Sequence, residues 1–303
     1  MSKKSLLQQK FHFMMLAAIA LVSIRPALAQ PIPVGSGNTG PAMVEFQGAL
    51  YVAWADANTH VSYAVSNDGK TFGPTIVTRQ LSFRAPALAV FDGQLYLAWT
   101  GTDSRQTLNI AQAGPDFLFS NAVQVNNYTS SNSPALAVFG SQLVIAWTGT
   151  DAHRHLNVAS SFDGIHWGPT ATLNQLSSSG PSLTVFQNQL YIGWSGTDSN
   201  AMLNYASSAD GTHFGPASFV AGIGGGVGPG LATFVNFDVA FTTIHGDLNI
   251  AFSSDGVTFG TIGAVGQITN LSPAMTTFDK TPTTLLWIAW TDNFGNVLAE
   301  PVP

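Results

Sequence analysis

The stretch that decides the fold runs from Ser133 to Pro169 and reads Pro134-Ala-Leu-Ala-Val-Phe139, Leu143-Val-Ile-Ala-Trp147, Thr148-Gly-Thr-Asp151, Leu156-Asn-Val-Ala159, Ser161-Phe-Asp-Gly164 and Trp167-Gly-Pro169. Nearly the same text stands on either side of it. Pro86-Ala-Leu-Ala-Val-Phe91 leads to Leu95-Tyr-Leu-Ala-Trp99 and Thr100-Gly-Thr-Asp103, and Pro181-Ser-Leu-Thr-Val-Phe186 leads to Leu190-Tyr-Ile-Gly-Trp194 and Ser195-Gly-Thr-Asp198. A proline followed five residues later by phenylalanine recurs at Pro41/Phe46, Pro229/Phe234 and Pro273/Phe278, which makes six copies. The step between prolines is about 44 to 48 residues, the length of four short strands in one propeller blade.

The apolar runs after each proline, such as Ala87–Phe91 and Gln94–Trp99, are continuous rather than alternating, so both faces of these strands must be buried. Turn residues such as Asp92-Gly93 separate the runs, which are too short for helices. A third strand carries Leu-Asn (Leu108-Asn109, Leu156-Asn157, Leu203-Asn204, Leu248-Asn249), and a more polar fourth strand follows Phe-Gly-Pro or Trp-Gly-Pro. Such polarity suits an outer edge. The expected fold is an all-β, six-bladed β-propeller of four-stranded blades, with repeats starting near residues 41, 86, 134, 181, 229 and 273. The last copy stops after its third strand, while Pro31-Ile-Pro-Val34 looks like a fourth strand without a blade. The N-terminal strand is therefore expected to complete the last blade.

Residues 1–29 lie outside the repeat. Lys3, Lys4 and Lys10 precede an apolar run from Phe11 to Ile24, and Ala27-Leu-Ala29 offers a small-x-small cleavage pattern, so a secretory signal peptide is expected with residues 30–303 as the propeller. The chain has 10 Lys and Arg, of which four fall in this leader; the remaining 6 face 16 Asp and Glu. So few cations exclude nucleic acid as a partner, and no membrane association is expected once the leader is removed. There is no cysteine, hence no disulfide framework and no thiolate chemistry.

Four copies carry a further motif between third and fourth strands: Ser66-Asn-Asp68-Gly69, Ser161-Phe-Asp163-Gly164, Ser208-Ala-Asp210-Gly211 and Ser253-Ser-Asp255-Gly256, each followed by an aromatic residue. It resembles the Asp-box of sialidase-like six-bladed propellers, S-x-D-x-G-x-T-W, shortened by one residue. The resemblance implies that Asp68, Asp163, Asp210 and Asp255 are structural and lie on the face away from the active site. Phe83-Arg84-Ala85-Pro86 is similar to the family's F-R-I-P segment, whose arginine belongs to a three-arginine carboxylate clamp. Beyond Arg154, however, the chain has no arginine, and Glu45 and Glu300 are its only glutamates. The resemblance therefore carries over without the full catalytic set.

Propeller geometry places the turns between second and third strands on one face with the links from blade to blade. These links are expected at Arg79–Arg84, Asn126–Asn132, Gln175–Gly180 and Gly222–Gly228. The candidate ligand-binding residues gather here: Arg84, Asp103, Arg105, Asp151, His153, Arg154, His155 and Asp198. The Thr-Gly-Thr-Asp turns read either as self-satisfied turns or as small polar pockets repeated around the ring, which would suit sugar hydroxyls. The regularly spaced Trp54, Trp99, Trp147, Trp194 and Trp290 read as blade core. His153 and His155 lack a third ligand nearby in sequence, so no metal is expected, and the run Gly222–Gly230 does not match a phosphate loop, so no cofactor is expected. The sequence thus predicts a secreted, non-catalytic recognition module for a glycan or another neutral polar ligand. A sialidase-like exo-glycosidase is the enzyme alternative, and a protein-binding scaffold is the second.

Overall fold

The computed structural model describes residues 30–260, 263–280 and 283–302; the signal-peptide expectation lies outside the described residues. Six sheets of four antiparallel strands form a closed ring. Among the described residues there is no helix.

The third blade shows how sequence becomes blade. Its inner strand Ala135–Phe139, second strand Gln142–Thr148, third strand His155–Ser161 and outer strand Ala171–Leu176 pair in chain order. The second strand is buried along nearly its whole length, because each of its faces meets a neighbouring blade. Alternate residues therefore enter different cores. Leu143, Ile145 and Trp147 pack with Tyr96 and Ala98 of the second blade, while Val144 and Ala146 pack with Ile192 and Trp194 of the fourth. Trp54, Trp194 and Trp290 are fully buried, and Trp99 and Trp147 nearly so. Each such side chain contributes about 2–3 kcal/mol of transfer free energy.

The ring closes as expected. Ile32–Ser36 is the outer strand of the last blade and pairs antiparallel with Asn296–Pro301, in the register Ile32 to Ala299 and Ser36 to Asn296. A side chain from the first blade locks this seam. Trp54 donates its indole N–H to the Ser36 carbonyl at 2.7 Å, and its ring fills the space where a Cβ at Gly35 or Gly37 would stand, each 2.3 Å from an indole carbon. Only glycine lets the closing strand lie flat against that indole.

The links between blades are shorter than the sequence suggests. The outer strands run on to Leu81, Thr129, Leu176 and Gly224, so Arg79, Asn126 and Gln175 are strand residues. The reason is a register shift that recurs where each outer strand meets the third, as between His155 and Asn157. In the second blade it coincides with left-handed backbone at Asn126 and Asn127 (φ 45° and 60°). A bulge hides a strand's continuation from any reading based on strict alternation.

Candidate functional site: the link face

On the link face all six blades build the same five-residue turn between second and third strands. Its first residue is Asp56, Asp103, Asp151, Asp198, Thr243 or Asp292. In each case the side-chain oxygen accepts amide N–H bonds from the residues two and four places on, for example Arg105 (3.0 Å) and Thr107 (3.1 Å) at Asp103. The pattern repeats at Asp56, Asp151, Asp198, Thr243 and Asp292. Asp103 also accepts the Thr107 hydroxyl at 2.9 Å, and Asp151 contacts His155 Nδ1 at 2.8 Å. Desolvation pushes the Asp103 and Asp151 carboxyls up, but these bonds, from Thr107 and Arg105 and from His155 and His153, outweigh it and leave both below the usual range. The carboxylates of Asp103, Asp151 and Asp198 are therefore held by their own turns.

The glycine of Thr-Gly-Thr-Asp follows from this cap. A Cβ at Gly149 would stand 2.5 Å from Asp151 Oδ2 and 3.0 Å from Asn157 Nδ2, and Gly101 and Gly196 are equally confined. The asparagine of Leu-Asn belongs to the same unit, since Asn157 Nδ2 donates to the His155 carbonyl at 2.9 Å. The fourth turn residue has positive φ in every blade: Thr59 (68°), Gln106 (56°), Arg154 (58°), Ala201 (45°), Gly246 (85°) and Gly295 (82°). Its carbonyl receives an amide from the start of the link, as Ser82 N–H to Thr59 and Ser177 N–H to Arg154. The buried hydroxyls of Ser82, Ser130, Ser177 and Thr269 then bond across to the next blade, for instance Ser82 Oγ to the Thr100 carbonyl at 2.9 Å.

What this frame leaves free is the third turn residue: Asn58, Arg105, His153, Asn200, His245 and Phe294. The backbone is equivalent in all six copies, and four side-chain types stand at the six tips. Beside each tip lies the preceding link. Asn270 Nδ2 reaches Asn293 Oδ1 at 3.0 Å, next to Phe294, which fixes how a link residue meets the following turn. The corresponding link residue between the first two blades is Phe83, 63% exposed, followed by exposed Arg84 and held alongside the second blade's turn by the bridge between Ser82 and Gly101. This part of the link face therefore carries Phe83, Arg84 and Arg105 on adjoining segments. The next holds exposed His153 and Arg154 with half-buried His155, the His153 and His155 rings 5.6 Å apart. Asp198 caps the equivalent turn of the fourth blade. Among the described residues, no group of three or more His, Asp and Glu side chains is arranged to hold a metal ion.

Tyr63, Tyr96, Tyr128 and Tyr205 donate their hydroxyls to carbonyls of turns on the opposite, back face. Glu45 lies on an inner strand and accepts the Asp279 amide, and Glu300 is buried in the last blade. The back face carries the Ser-x-Asp-Gly turns. Asp68 accepts the amides of Lys70 (2.8 Å) and Thr71 (2.9 Å), which hold its carboxyl down to about 2. Asp163, with its ring contact to His166 and the His166 and Ile165 amides, and likewise Asp210 and Asp255, sit well below the usual carboxylate range.

No protein-family model matches the chain, and no curated protein matches it by sequence. Solved structures do match it. AofleA from Arthrobotrys oligospora has a TM-score of 0.66 at 11% identity, over 90% of this chain and 84% of that one. The fucose-specific lectin from Aleuria aurantia has a TM-score of 0.60 at 12% identity, over 89% and 94%. Trypanosoma rangeli sialidase, in complex with the inhibitor DANA, has a TM-score of 0.55 at 12% identity, over 90% of this chain and 58% of that one. The likeness is one of fold. The same six-bladed shape serves a lectin and a sialidase alike.

Proposed function

We propose that the protein is a secreted, non-catalytic lectin that binds glycans in the clefts between blades on the link face. The observation that carries the reading is the separation of frame from tip. Capped, stitched turns repeat around the ring, while the exposed residue at each tip changes from Asn58 to Arg105 to His153 and on to Phe294. Rigid frames with variable polar and aromatic tips are how binding loops are carried on a scaffold. The cleft at Phe83, Arg84 and Arg105 is the leading site, since an aromatic side chain can cover the apolar face of a sugar ring while guanidiniums donate to its hydroxyls. The Ser-x-Asp-Gly turns of the back face, in this reading, are Asp-boxes that serve the fold alone. The lectins among the structural neighbours support the ligand class.

A glycan array probed with residues 30–303 tests this. Selective binding that disappears in Arg84→Ala and Arg105→Ala supports the leading cleft. Binding that survives both but falls with His153→Ala moves the site one blade on, and an array with no binding defeats the reading.

A further inference from the structure

The second blade departs from its neighbours on the back face. In the first, third, fourth and fifth blades the chain returning from the Ser-x-Asp-Gly turn bonds to the third strand: Gly73, Gly168, Gly215 and Gly260 donate their amides to the carbonyls of Val65, Ser160, Ser207 and Phe252 at 2.8–2.9 Å. The equivalent third-strand residue in the second blade is Gln112, and among the described residues no returning amide makes that bond. There the motif has decayed to Ala113-Gly-Pro-Asp116-Phe-Leu-Phe119, and the chain swings toward the first blade instead. Phe117 stacks on Tyr51 with ring centroids 6.3 Å apart, Phe119 is buried against Tyr63, and Gln80 Nε2 donates to the Phe119 carbonyl at 3.0 Å. Both phenylalanines are held at positive φ (55° and 52°), a region that bulky side chains rarely adopt. Backbone held against its preference often marks a place where shape serves a purpose.

The space left behind is a cavity of about 470 Å³ facing the third blade. Its volume is in the range of pockets for small molecules. Gln94, Gln112 and Asn121 line it together with Tyr96 and the exposed Val123 and Ile165. No lining residue carries a charge. Nearby amides are already committed, Gln80 to Phe119 and Asn126 to the Trp167 carbonyl, whereas among the described residues those of Gln94, Gln112 and Asn121 are not. Each free amide offers a donor pair beside an acceptor, which matches vicinal hydroxyls, and the lining supplies no charge to offset the desolvation of an ionised group.

We infer that this cavity is a second ligand site, on the face opposite the clefts, that takes a single neutral sugar residue. The inference does not depend on the link-face reading, and its test is independent of arrays. Saturation-transfer NMR would use the methyl glycosides of glucose, galactose and mannose together with N-acetylglucosamine as free probes. At least one should bind, with shifts in 15N-labelled protein confined to the amides around Gln112, Asn121 and Ile165. Gln112→Trp, which fills the cavity, should weaken binding at least about tenfold. If that variant misfolds, Gln94→Ala with Asn121→Ala removes two amides from exposed positions and should do the same. No binding by any of the probes, shifts confined to the link-face turns, or full binding in the folded variants would each overturn the inference.

Discussion

The two faces of the ring solve the same problem with the same residue and use the result differently. Both cap their turns with an aspartate that accepts two amides of its own turn, Asp163 from Ile165 and His166 on the back face and Asp151 from His153 and His155 on the link face. On the back face the turn leans into the preceding blade: Gly164 sits where a Cβ would be 2.5 Å from the Tyr96 ring, and Gly256 is confined in the same way by Tyr191. On the link face the corresponding tips, Arg105 and His153, stand in solvent. A turn that is packed by its neighbour must keep its sequence, and one held only by its own cap is free to vary at the tip.

Substitutions at the glycines should break this contrast most visibly. Gly164→Ala places a Cβ against Tyr96 at positive φ and should cost about 3 kcal/mol in a urea melt. A wild-type midpoint in that variant would mean the back-face turns are not packed as described.

Acidity separates the faces from the interior. Asp68 on the back face and Asp103 and Asp151 on the link face are depressed, so the stability they add is present above their unfolded pKa and is lost as pH falls through the folded value, near 2 for Asp68. Two interior carboxylates behave in the opposite sense. Burial pushes Asp238 up to about 6, against one bond from the Phe234 amide, and pushes Glu300 up to about 7. Glu300 occupies the slot held by Ala64, Ala111, Ala159, Ala206 and Ala251 in the other blades, with Oε2 buried and unpartnered. Their contribution is intact below the unfolded carboxylate range and is lost as pH rises through 6 to 7. Melting temperature should peak in mild acid, and on the order of 2 kcal/mol should disappear between pH 5 and about pH 8. Glu300→Ala should flatten that limb; a melting temperature that rises toward pH 8 in the wild type would contradict it.

Cap removal sharpens the comparison further. Asp103→Ala should cost about 1 kcal/mol, by analogy with a lost helix cap, and Asp163→Ala should also lower the urea midpoint, but only the first should alter glycan binding. At the small end, Arg105→Ala should change stability by less than about 0.5 kcal/mol while abolishing binding in the cleft it shares with Phe83. Equal losses of stability and binding there would mean that the tip belongs to the frame.

Much of the ring was readable in the sequence because the same physical demand recurs six times. Pro134 to Phe139 and Leu143 to Trp147 must be buried on both sides, and any blade that failed to repeat them would leave a gap. The unmatched Pro31-Ile-Pro-Val34 revealed the closure for the same reason. What escaped was determined between blades rather than along the chain. The role of Asp103, Asp151 and Asp198 depends on amides two and four places on and on the space over Gly101, Gly149 and Gly196. The six tips become comparable only once the turns are superposed by their hydrogen bonds. The cavity beside Gln112 exists because Phe117 found Tyr51 in another blade, a contact that no local pattern announces.

The seam also decides how the ring is presented. Ser36 lies beside Asn296 at the link-face end of the closing ladder, so Ile32 and Pro301, at the other end, both leave toward the back face. Both free ends of the closing ladder thus lie on the side away from the link-face tips. Tension applied through both ends would open the ladder rung by rung from Ile32 and Ala299, like a zip, rather than shear all its bonds at once.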